Sequence, residues 1–440
     1  MSAEEPTTAP AAAPAAPAAA ETPAQGGLDD ATLTKYKAAG EIAANAIKKV
    51  INLVLTKPEV TVQELCNEGD ATVTSLSAAI YNKPKGVQKG SAYPTSVAIN
   101  GIICNSAPLA NDPLAQRALV SGDVVKIQIG AHIDGFPVVA AETVVVPSKP
   151  GPDAALDKSP ETVGPSRVAD ALKAAHVAAE LAIRLIKPGA MSIDIAKTVD
   201  RAVRDEFGLF MVEGMNSCQM EKDVIDGKKK IVFNPEPNNR PENFKLEENE
   251  VYGIDLHITT GPDGKSKPDT ARTTIYKRIP AASYLLKMAT SRRVFSEVSK
   301  KFGAFPFHLG ALEDQKGARM GIKEAVDHGL LQAFDTLVVA SDGSSSAASR
   351  TADSAAAASA KAITTQVSFS VVVNSKGAIR LNPEGSWYQE GKTVKSEKVV
   401  QNEETKKLLE TPVRSTAKTN KKKKKAGEGA AAEATPAAAA

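Results

Sequence analysis

The chain of 440 residues is 42% hydrophobic and 24% charged, ordinary values for a protein that buries one large core or two fused cores. Its net charge of +3 hides an uneven distribution, because residues 1–30 carry five acidic and no basic side chains, whereas residues 411–440 carry seven basic against two acidic ones. Three cysteines exclude a disulfide scaffold and favour a reducing compartment, and without 18 consecutive apolar residues no membrane-spanning helix is predicted.

Changes in composition divide the chain into four segments. They are a disordered Ala- and Pro-rich leader, a folded domain, a C-terminal helix and a disordered Lys-rich tail, at residues 1–27, 28–390, 391–410 and 411–440. The leader is predicted to stay unfolded because its prolines interrupt any alanine helix. Within the folded domain a Pro-rich linker, 147–165, separates a first half, 28–146, from a second half, 166–390, which carries a Ser- and Ala-rich insertion loop at 341–361.

An internal repeat begins in the first helix of each half. Apolar positions of an amphipathic pattern recur with the same spacing, as Ala43, Ala46 and Ile47 and again as Ala179, Ala182 and Ile183. Both helices are predicted to end at a Lys-Pro pair, because proline disfavours the helical conformation of the residue before it. A capping hydroxyl is then expected to start a second helix in each half, at Thr61 and at Ser192.

The repeat continues into the strands. The β pattern of Ser121–Ile129 in the first half matches that of Glu248–Leu256 in the second. Chance similarity between Ala-rich helices would not reproduce both the Lys-Pro pairs and the strand order, so repetition is favoured. Two copies of helix, helix and strands predict an α/β (α+β) domain whose halves are related by a pseudo-twofold axis.

A pair of catalytic metal ions between such halves would need several converging carboxylates and at least one histidine. The strands expected there offer Gln128, Val139 and Ser368, with Asp255 as the carboxylate. One carboxylate with an amide, an aliphatic and a hydroxyl side chain does not bind two cations. Catalysis is therefore disfavoured, and neither a metal nor another cofactor is predicted.

Several motifs together resemble one protein family. They are Tyr93–Val97, the GDVVKIQIGAHIDG run of Gly122–Gly135, Val224–Gly227, the RTTIYKR run of Arg272–Arg278, Leu286–Ser291, Ala318–Gly321 and the closing Lys421–Lys425 run. Over roughly residues 31–425 the chain resembles the proliferation-associated, curved-DNA-binding proteins, non-catalytic relatives of the type-2 methionine aminopeptidases. The resemblance implies a pita-bread, creatinase/methionine-aminopeptidase-like fold with two pseudo-twofold-related halves and disordered termini.

The resemblance also places the family's metal-ligand positions in this sequence. The two aspartates fall at Gln128 and Val139, the histidine at Cys218, the two glutamates at Asp255 and Ser368, and the substrate-facing histidine at Asn105. We call these six residues the vestigial cleft. Asp255 alone keeps a carboxylate, and Cys218 lacks the neighbouring thiolates or imidazoles needed to bind a soft metal. The resemblance thus implies an inactive peptidase.

A nucleophilic pair is a further catalytic hypothesis. His257 follows Asp255 by two residues and shares its sheet face, so Cys218 and His257 would form a pair if the fold brought them together. The sequence marks neither an oxyanion hole nor a third orienting group, which disfavours this interpretation. No GxxxxGK[ST] or GxGxxG motif supports nucleotide chemistry.

Clusters of basic residues support the hypothesis that the protein binds nucleic acid, because phosphate backbones attract such clusters through counterion release. The predicted nucleic-acid-binding residues are Lys228, Lys229, Lys230, Arg272, Lys277, Arg278, Lys421, Lys422, Lys423, Lys424 and Lys425. Any one cluster is equally well a solvated charge run or a nuclear signal, but several clusters with a Lys-rich tail favour nucleic-acid contact. Aromatic residues make up only 4%, which disfavours stacking of single-stranded bases and favours structured RNA.

The resemblance implies the large ribosomal subunit and ribosomal RNA as partners, DNA and transcription-regulatory proteins as further ones, and cytoplasmic and nuclear or nucleolar localisation. The predicted protein is a non-catalytic aminopeptidase-like binder of ribosomes and nucleic acid, acting in ribosome biogenesis or translation and in transcriptional co-regulation of growth. It needs no membrane and no small-molecule substrate. Two alternatives stay open: an active metal-dependent methionine aminopeptidase that uses Asp255, and a scaffold that holds peptides or proteins in the vestigial cleft.

Overall fold

The computed structural model describes residues 28–83, 85–158, 161–340 and 362–414. The predicted leader, the insertion loop and the Lys421–Lys425 run lie outside the described residues. Within them, no helix is long and apolar enough to cross a membrane.

Two helices open the first half, α1 (Asp30–Thr56) and α2 (Val62–Ala79). Asp29 caps α1 by accepting a hydrogen bond from the Thr32 amide, and the helix ends at the Lys-Pro pair as expected. Thr61 caps α2 in a capping box with Glu64, which satisfies two amides that the helix start leaves free. The predicted end of α1 and the predicted start of α2 are confirmed, because local signals define both.

The second half repeats this arrangement with α3 (Arg167–Leu185) and α4 (Ser192–Ala202). The prediction that Ser192 caps α4 is wrong. The cap position is Met191, which forms a β-bridge with Lys245, and the Ser192 hydroxyl accepts a hydrogen bond from the Phe244 amide at 3.2 Å. A tertiary contact to a distant loop therefore replaces the local cap.

Besides two short 3-10 helices (Pro152–Ala154 and Leu309–Ala311) and one π-helical turn (Val203–Phe207), the described chain contains fifteen strands and three more α-helices. The strands are β1 (Lys89–Ile99), β2 (Ile102–Cys104), β3 (Val124–Ile133), β4 (Phe136–Val145), β5 (Phe210–Met211), β6 (Asn216–Met220), β7 (Lys230–Val232), β8 (Val251–Thr259), β9 (Ser266–Pro268), β10 (Ile275–Arg278), β11 (Phe307–His308), β12 (Leu331–Phe334), β13 (Leu337–Val339), β14 (Thr364–Asn374) and β15 (Gly377–Arg380). The helices are α5 (Ala289–Lys301), α6 (Gln315–Asp327) and α7 (Glu403–Glu410).

The main sheet is antiparallel and has the strand order β1-β3-β4-β14-β8-β6-β7, with β15 beside β14 and β5 beside β8. From its centre outward, the order is the same in both directions: β4, β3 and β1 on one side correspond to β14, β8 and β6 on the other. Helix α1 packs on β3 and β4, and α3 packs on β14 and β8. The pita-bread fold with two pseudo-twofold-related halves is confirmed.

The two halves meet at a seam between β4 and β14. Only Ser368 and Ala141 pair directly there. On either side a hydroxyl completes the ladder: Thr143 exchanges hydrogen bonds with the Gln366 backbone at 2.7 and 2.8 Å, and Ser370 does the same with Val139 at 3.0 and 3.2 Å. Because these side chains fill the widened gap, buried backbone groups of both strands remain satisfied.

Separate apolar clusters stabilise the parts of the fold. One cluster joins α1 and α2 to β1, β3 and β4, and a second joins α3 and α4 to β8 and β14. Val50, Ile51 and Val54 of α1 are at most 1% exposed, and burying each contributes about 1.5–3 kcal/mol. A third cluster joins α5 and α6 to the small sheet β11-β10-β12.

The C-terminal helix is shorter than the predicted 391–410. It spans Glu403–Glu410, and Asn402 caps it by accepting from the Glu404 and Thr405 amides. Residues 391–393 form a turn instead, and Val394 forms β-bridges with Val163 and Glu390. These bridges use backbone groups that a helix would need for itself.

Candidate functional site

Four positions of the vestigial cleft follow from strand register. Gln128 on β3 lies opposite Ala141 on β4, Ala141 lies opposite Ser368 on β14, and Ser368 lies opposite Asp255 on β8. Directly opposed residues share one face of an antiparallel sheet, and Val139 joins them because it precedes Ala141 by two residues. The sheet therefore places these predicted residues on one face, with the backbones of Gln128 and Asp255 about 14 Å apart.

Asp255 is held by the side chains of Gln366 and Ser217. Its Oδ1 accepts a hydrogen bond from Gln366 Nε2 at 2.8 Å, and its backbone amide donates to Ser217 Oγ at 2.8 Å. The Nε2 atom of His257, a residue only 1% exposed, lies 3.0 Å from Asp255 Oδ2 without the alignment of a hydrogen bond. The carboxylate is thus enclosed by an amide and an imidazole, whereas a metal site would surround it with further carboxylates.

Asn105 uses its side chain to hold two segments together. Its Oδ1 accepts a hydrogen bond from Tyr93 Oη at 2.5 Å, and its Nδ2 donates to the Asp335 carbonyl at 2.9 Å. Burial raises the pKa of Tyr93 well above its usual value, so the phenol remains a donor. Asn105 also adopts a left-handed backbone conformation with φ of 58°, which asparagine tolerates better than most residues.

Cys218 does not form the conjectured nucleophilic pair. It lies opposite Gly253 on β8, and His257 is four residues further along that strand, about 13 Å away by backbone rise. Burial raises the pKa of the Cys218 thiol to about 11, so the thiolate is scarce at neutral pH. The structure therefore argues against both a Cys–His nucleophile and a metal at this position. Across the described ranges, no three His, Cys, Asp or Glu residues converge as metal ligands.

Of the six predicted basic residues that the structure describes, four are already paired. Lys229 contacts Glu250 at 2.5 Å, Arg272 contacts Asp112, and the Arg278 Nε donates to the Gly303 carbonyl at 2.9 Å. Lys277 is 9% exposed and forms an ion pair with Asp226. This placement argues against Lys277 as a phosphate contact, because alternation along β10 turns it toward the interior.

Lys228 and Lys230 differ from these residues. Both are exposed, and neither forms an ion pair or a hydrogen bond through its side chain with another described residue. They line a groove of about 430 Å³ together with Arg240 and with two carboxylates, Glu236 and Glu242. We call this the basic groove. Sequence reasoning missed Arg240, because an isolated arginine in a Pro- and Asn-rich loop carries no cluster signal.

The main sheet has matching strand order on both sides of its centre, and the vestigial cleft lies at the seam between the two halves. These features define a pita-bread protein in which other residue types occupy most of the metal-ligand positions. The sequence pattern of metallopeptidase family M24 matches residues 34–275. The chain belongs to this family, in the group of curved-DNA-binding and proliferation-associated proteins.

Similarity to individual proteins covers most of the chain. The Curved DNA-binding protein of Schizosaccharomyces pombe is 36% identical over 399 residues, 90% of this chain and 93% of that one. Proliferation-associated protein A of Dictyostelium discoideum is 36% identical over 302 residues, 69% of this chain and 74% of that one. The solved structure of a thermophilic Arx1 is 26% identical, with a TM-score of 0.74, and covers 88% of this chain and 100% of its own.

Proposed function

We propose that this chain is a non-catalytic M24 protein that binds nucleic acid through the basic groove, with the large ribosomal subunit and its RNA as principal partner. The observation that carries the proposal is the contrast within one turn: Lys228 and Lys230 are exposed and unpaired within the described chain, whereas Lys229 is neutralised by Glu250. Free cations beside a groove, with Arg240 on its wall, suit a phosphate backbone.

The chemistry of the vestigial cleft supports a role without catalysis. Gln128, Val139 and Ser368 supply no carboxylate, and the carboxylate of Asp255 is bonded to Gln366. DNA as a further ligand is supported by the name of the Schizosaccharomyces pombe relative. The same proposal includes a role in ribosome biogenesis or translation and contacts with transcription-regulatory proteins. It also includes residence in the cytoplasm and in the nucleus or nucleolus.

The test is ribosome co-sedimentation and binding to ribosomal RNA fragments at several salt concentrations. The double variant Lys228→Gln/Lys230→Gln of the full chain should bind more weakly. Its salt slope should fall by about 1.8, because each phosphate that a lysine neutralises on a duplex accounts for roughly 0.9. The matched control is Lys187→Gln/Lys197→Gln, which removes the same charge from exposed positions on the helical side of the second half. Equal affinity and slope for the double variant and wild type would refute a role for the groove.

The Lys-rich tail is tested separately. Deletion of Lys421–Lys425 should weaken the same association and reduce its salt slope, because five positive charges are removed at once. An unchanged slope would assign the electrostatic contact to the basic groove alone.

A further inference from the structure

A cavity of about 640 Å³ lies between α1 and α3, over the seam where β4 meets β14. Its walls include Asn45 and Lys48 of α1, His176 of α3 and Arg380 at the end of β15. Apart from Ser368, no residue of the vestigial cleft lines it, so the cavity is a separate feature of the fold.

Arg380 is the unusual group in this cavity. Its guanidinium carbon lies 4.7 Å from the centre of the Phe369 ring, within the range of a cation–π contact. The side chain is half-buried, its Nε is buried without a partner, and no described residue forms an ion pair or hydrogen bond with it. A guanidinium has five N–H donors in a planar fork, so the side chain of Arg380 can donate hydrogen bonds to an acceptor from outside the chain.

The carboxylates around the cavity are engaged elsewhere. Glu142 accepts hydrogen bonds from the backbone amides of Ser386 and Trp387 at 3.0 and 2.6 Å. Glu180 forms an ion pair with Arg184 on its own helix, and Glu390 pairs with Lys173 at 2.6 Å. Glu384 is exposed at the rim and forms no ion pair with Arg380 in the described structure. No described carboxylate therefore forms an ion pair or a hydrogen bond with Arg380, and the charges of Glu384, Glu180 and Glu142 act on it only through space.

Two neighbouring groups complete a polar wall. Ser386 lines the cavity, and its Oγ is buried without a hydrogen-bond partner among the described residues. His176 stacks on Tyr388 with ring centres 3.6 Å apart. Burial, and then the charge of Arg380, lower the pKa of His176 to about 3, so the imidazole is neutral and adds no competing charge.

We propose that this cavity binds a small oxyanion ligand, a carboxylate or a phosphate group. The guanidinium of Arg380 donates two parallel hydrogen bonds to two oxygens of the anion, and the Ser386 hydroxyl donates a third. Bidentate pairing of this kind is the geometry that an arginine fork suits best, and partial burial makes it stronger than at an open surface.

The chain contains its own probe for this ligand. Trp387 is the single tryptophan of the sequence, is 1% exposed, and stands between the lining residues Ser386 and Tyr388. Fluorescence of Trp387 in the full chain is followed during titration with sodium phosphate and, separately, sodium acetate, with sodium chloride holding the ionic strength constant. We expect a saturable change with at least one anion, and the arm that saturates at lower concentration identifies the preferred oxyanion.

The variants assign the effect to the cavity. Arg380→Gln should weaken binding by about tenfold or more, as expected for loss of charged hydrogen bonds. Arg380→Lys keeps the charge without the fork and should bind with intermediate affinity. Arg319→Gln, an exposed arginine on α6, should bind like wild type. If Arg380→Gln fails to fold, Ser386→Ala takes its place and should weaken binding. A signal that never saturates, or equal binding by the cavity variants and wild type, would overturn the proposal.

Discussion

Gln366 of β14 donates a hydrogen bond from Nε2 to Oδ1 of Asp255 on β8 at 2.8 Å. The two residues are diagonal neighbours, since Asp255 lies directly opposite Ser368. The carboxylate that this chain retains in its cleft is therefore satisfied by a side chain of the neighbouring strand. A neutral amide in this place stabilises the carboxylate but contributes no charge toward a cation.

The first prediction concerns metal binding. Titration of the full chain with Mn²⁺ or Co²⁺ should give no stoichiometric heat in calorimetry and no hydrolysis of methionyl peptides, because Asp255 lacks carboxylate partners at Gln128, Val139 and Ser368. The control is Asp255→Asn, which should give the same trace as wild type. Heat of binding that wild type shows and Asp255→Asn loses would establish a metal site and revive the aminopeptidase alternative.

The second prediction concerns the reactivity of Cys218. Because burial raises its pKa to about 11, alkylation by iodoacetamide at pH 8 should be roughly 100-fold slower than that of a free thiol. The rate should rise as the pH approaches 11, and mass spectrometry should place the modification on Cys218 ahead of the buried Cys66 and Cys104. Cys218→Ser is the control. A thiol that reacts faster than free cysteine at pH 8 would indicate an activated nucleophile.

The third prediction concerns Lys126, a fully buried residue of β3. Its Nζ donates to the backbone carbonyls of Asn100 and Thr364 at 2.7 and 3.2 Å, and burial lowers its pKa to about 7. In the unfolded chain the pKa returns to about 10.4, so the unfolded state binds more protons between these values. The free energy of unfolding should therefore gain up to about 1.4 kcal/mol per pH unit from this residue as pH rises from 7 toward 10.

Urea unfolding of wild type and Lys126→Met at pH 7, 8, 9 and 10 measures this contribution. The variant should lack the rise, and at pH 7 it should be as stable as wild type or more so, because an apolar chain of similar length replaces a buried amine. The Asn100 carbonyl keeps a partner in the Thr364 amide. Parallel pH profiles for the two proteins would contradict the assignment.

The fourth prediction concerns the close approach of α1 to the segment after β15. A Cβ added at Gly40 would meet the Leu381 carbonyl oxygen. Alanine normally stabilises a helix interior by up to about 1 kcal/mol over glycine. Here Gly40→Ala should lower the free energy of unfolding by about 1 kcal/mol or more, because overpacking costs about 1–3 kcal/mol. Gly164→Ala, where a methyl group meets no atom within 4 Å, is the control and should leave stability nearly unchanged. Stabilisation by Gly40→Ala would show that the helix and the segment separate freely.

Local signals predicted the repeated elements well. The apolar spacing around Ala43 and Ala179, the Lys-Pro pairs and the Thr61 cap act within a few residues, and each matches the observed helices. The errors fall where a distant segment competes for the same groups. Ser192 bonds a loop about 50 residues away, and Val394 bridges to Val163, so neither follows its local preference.

The sequence by itself determined that the vestigial cleft lacks most of the ligands that a metal pair needs. Poor metal ligands in any arrangement are the amide of Gln128, the side chain of Val139 and the hydroxyl of Ser368. Only the tertiary structure decided which charges are free. Lys229 and Lys277 are paired with carboxylates 21 and 51 residues away, whereas Lys228, next to Lys229 in the chain, has no such partner among the described residues. Ion pairs depend on distances of a few ångströms across strands and helices, and those distances come from packing, which no local pattern in the chain encodes.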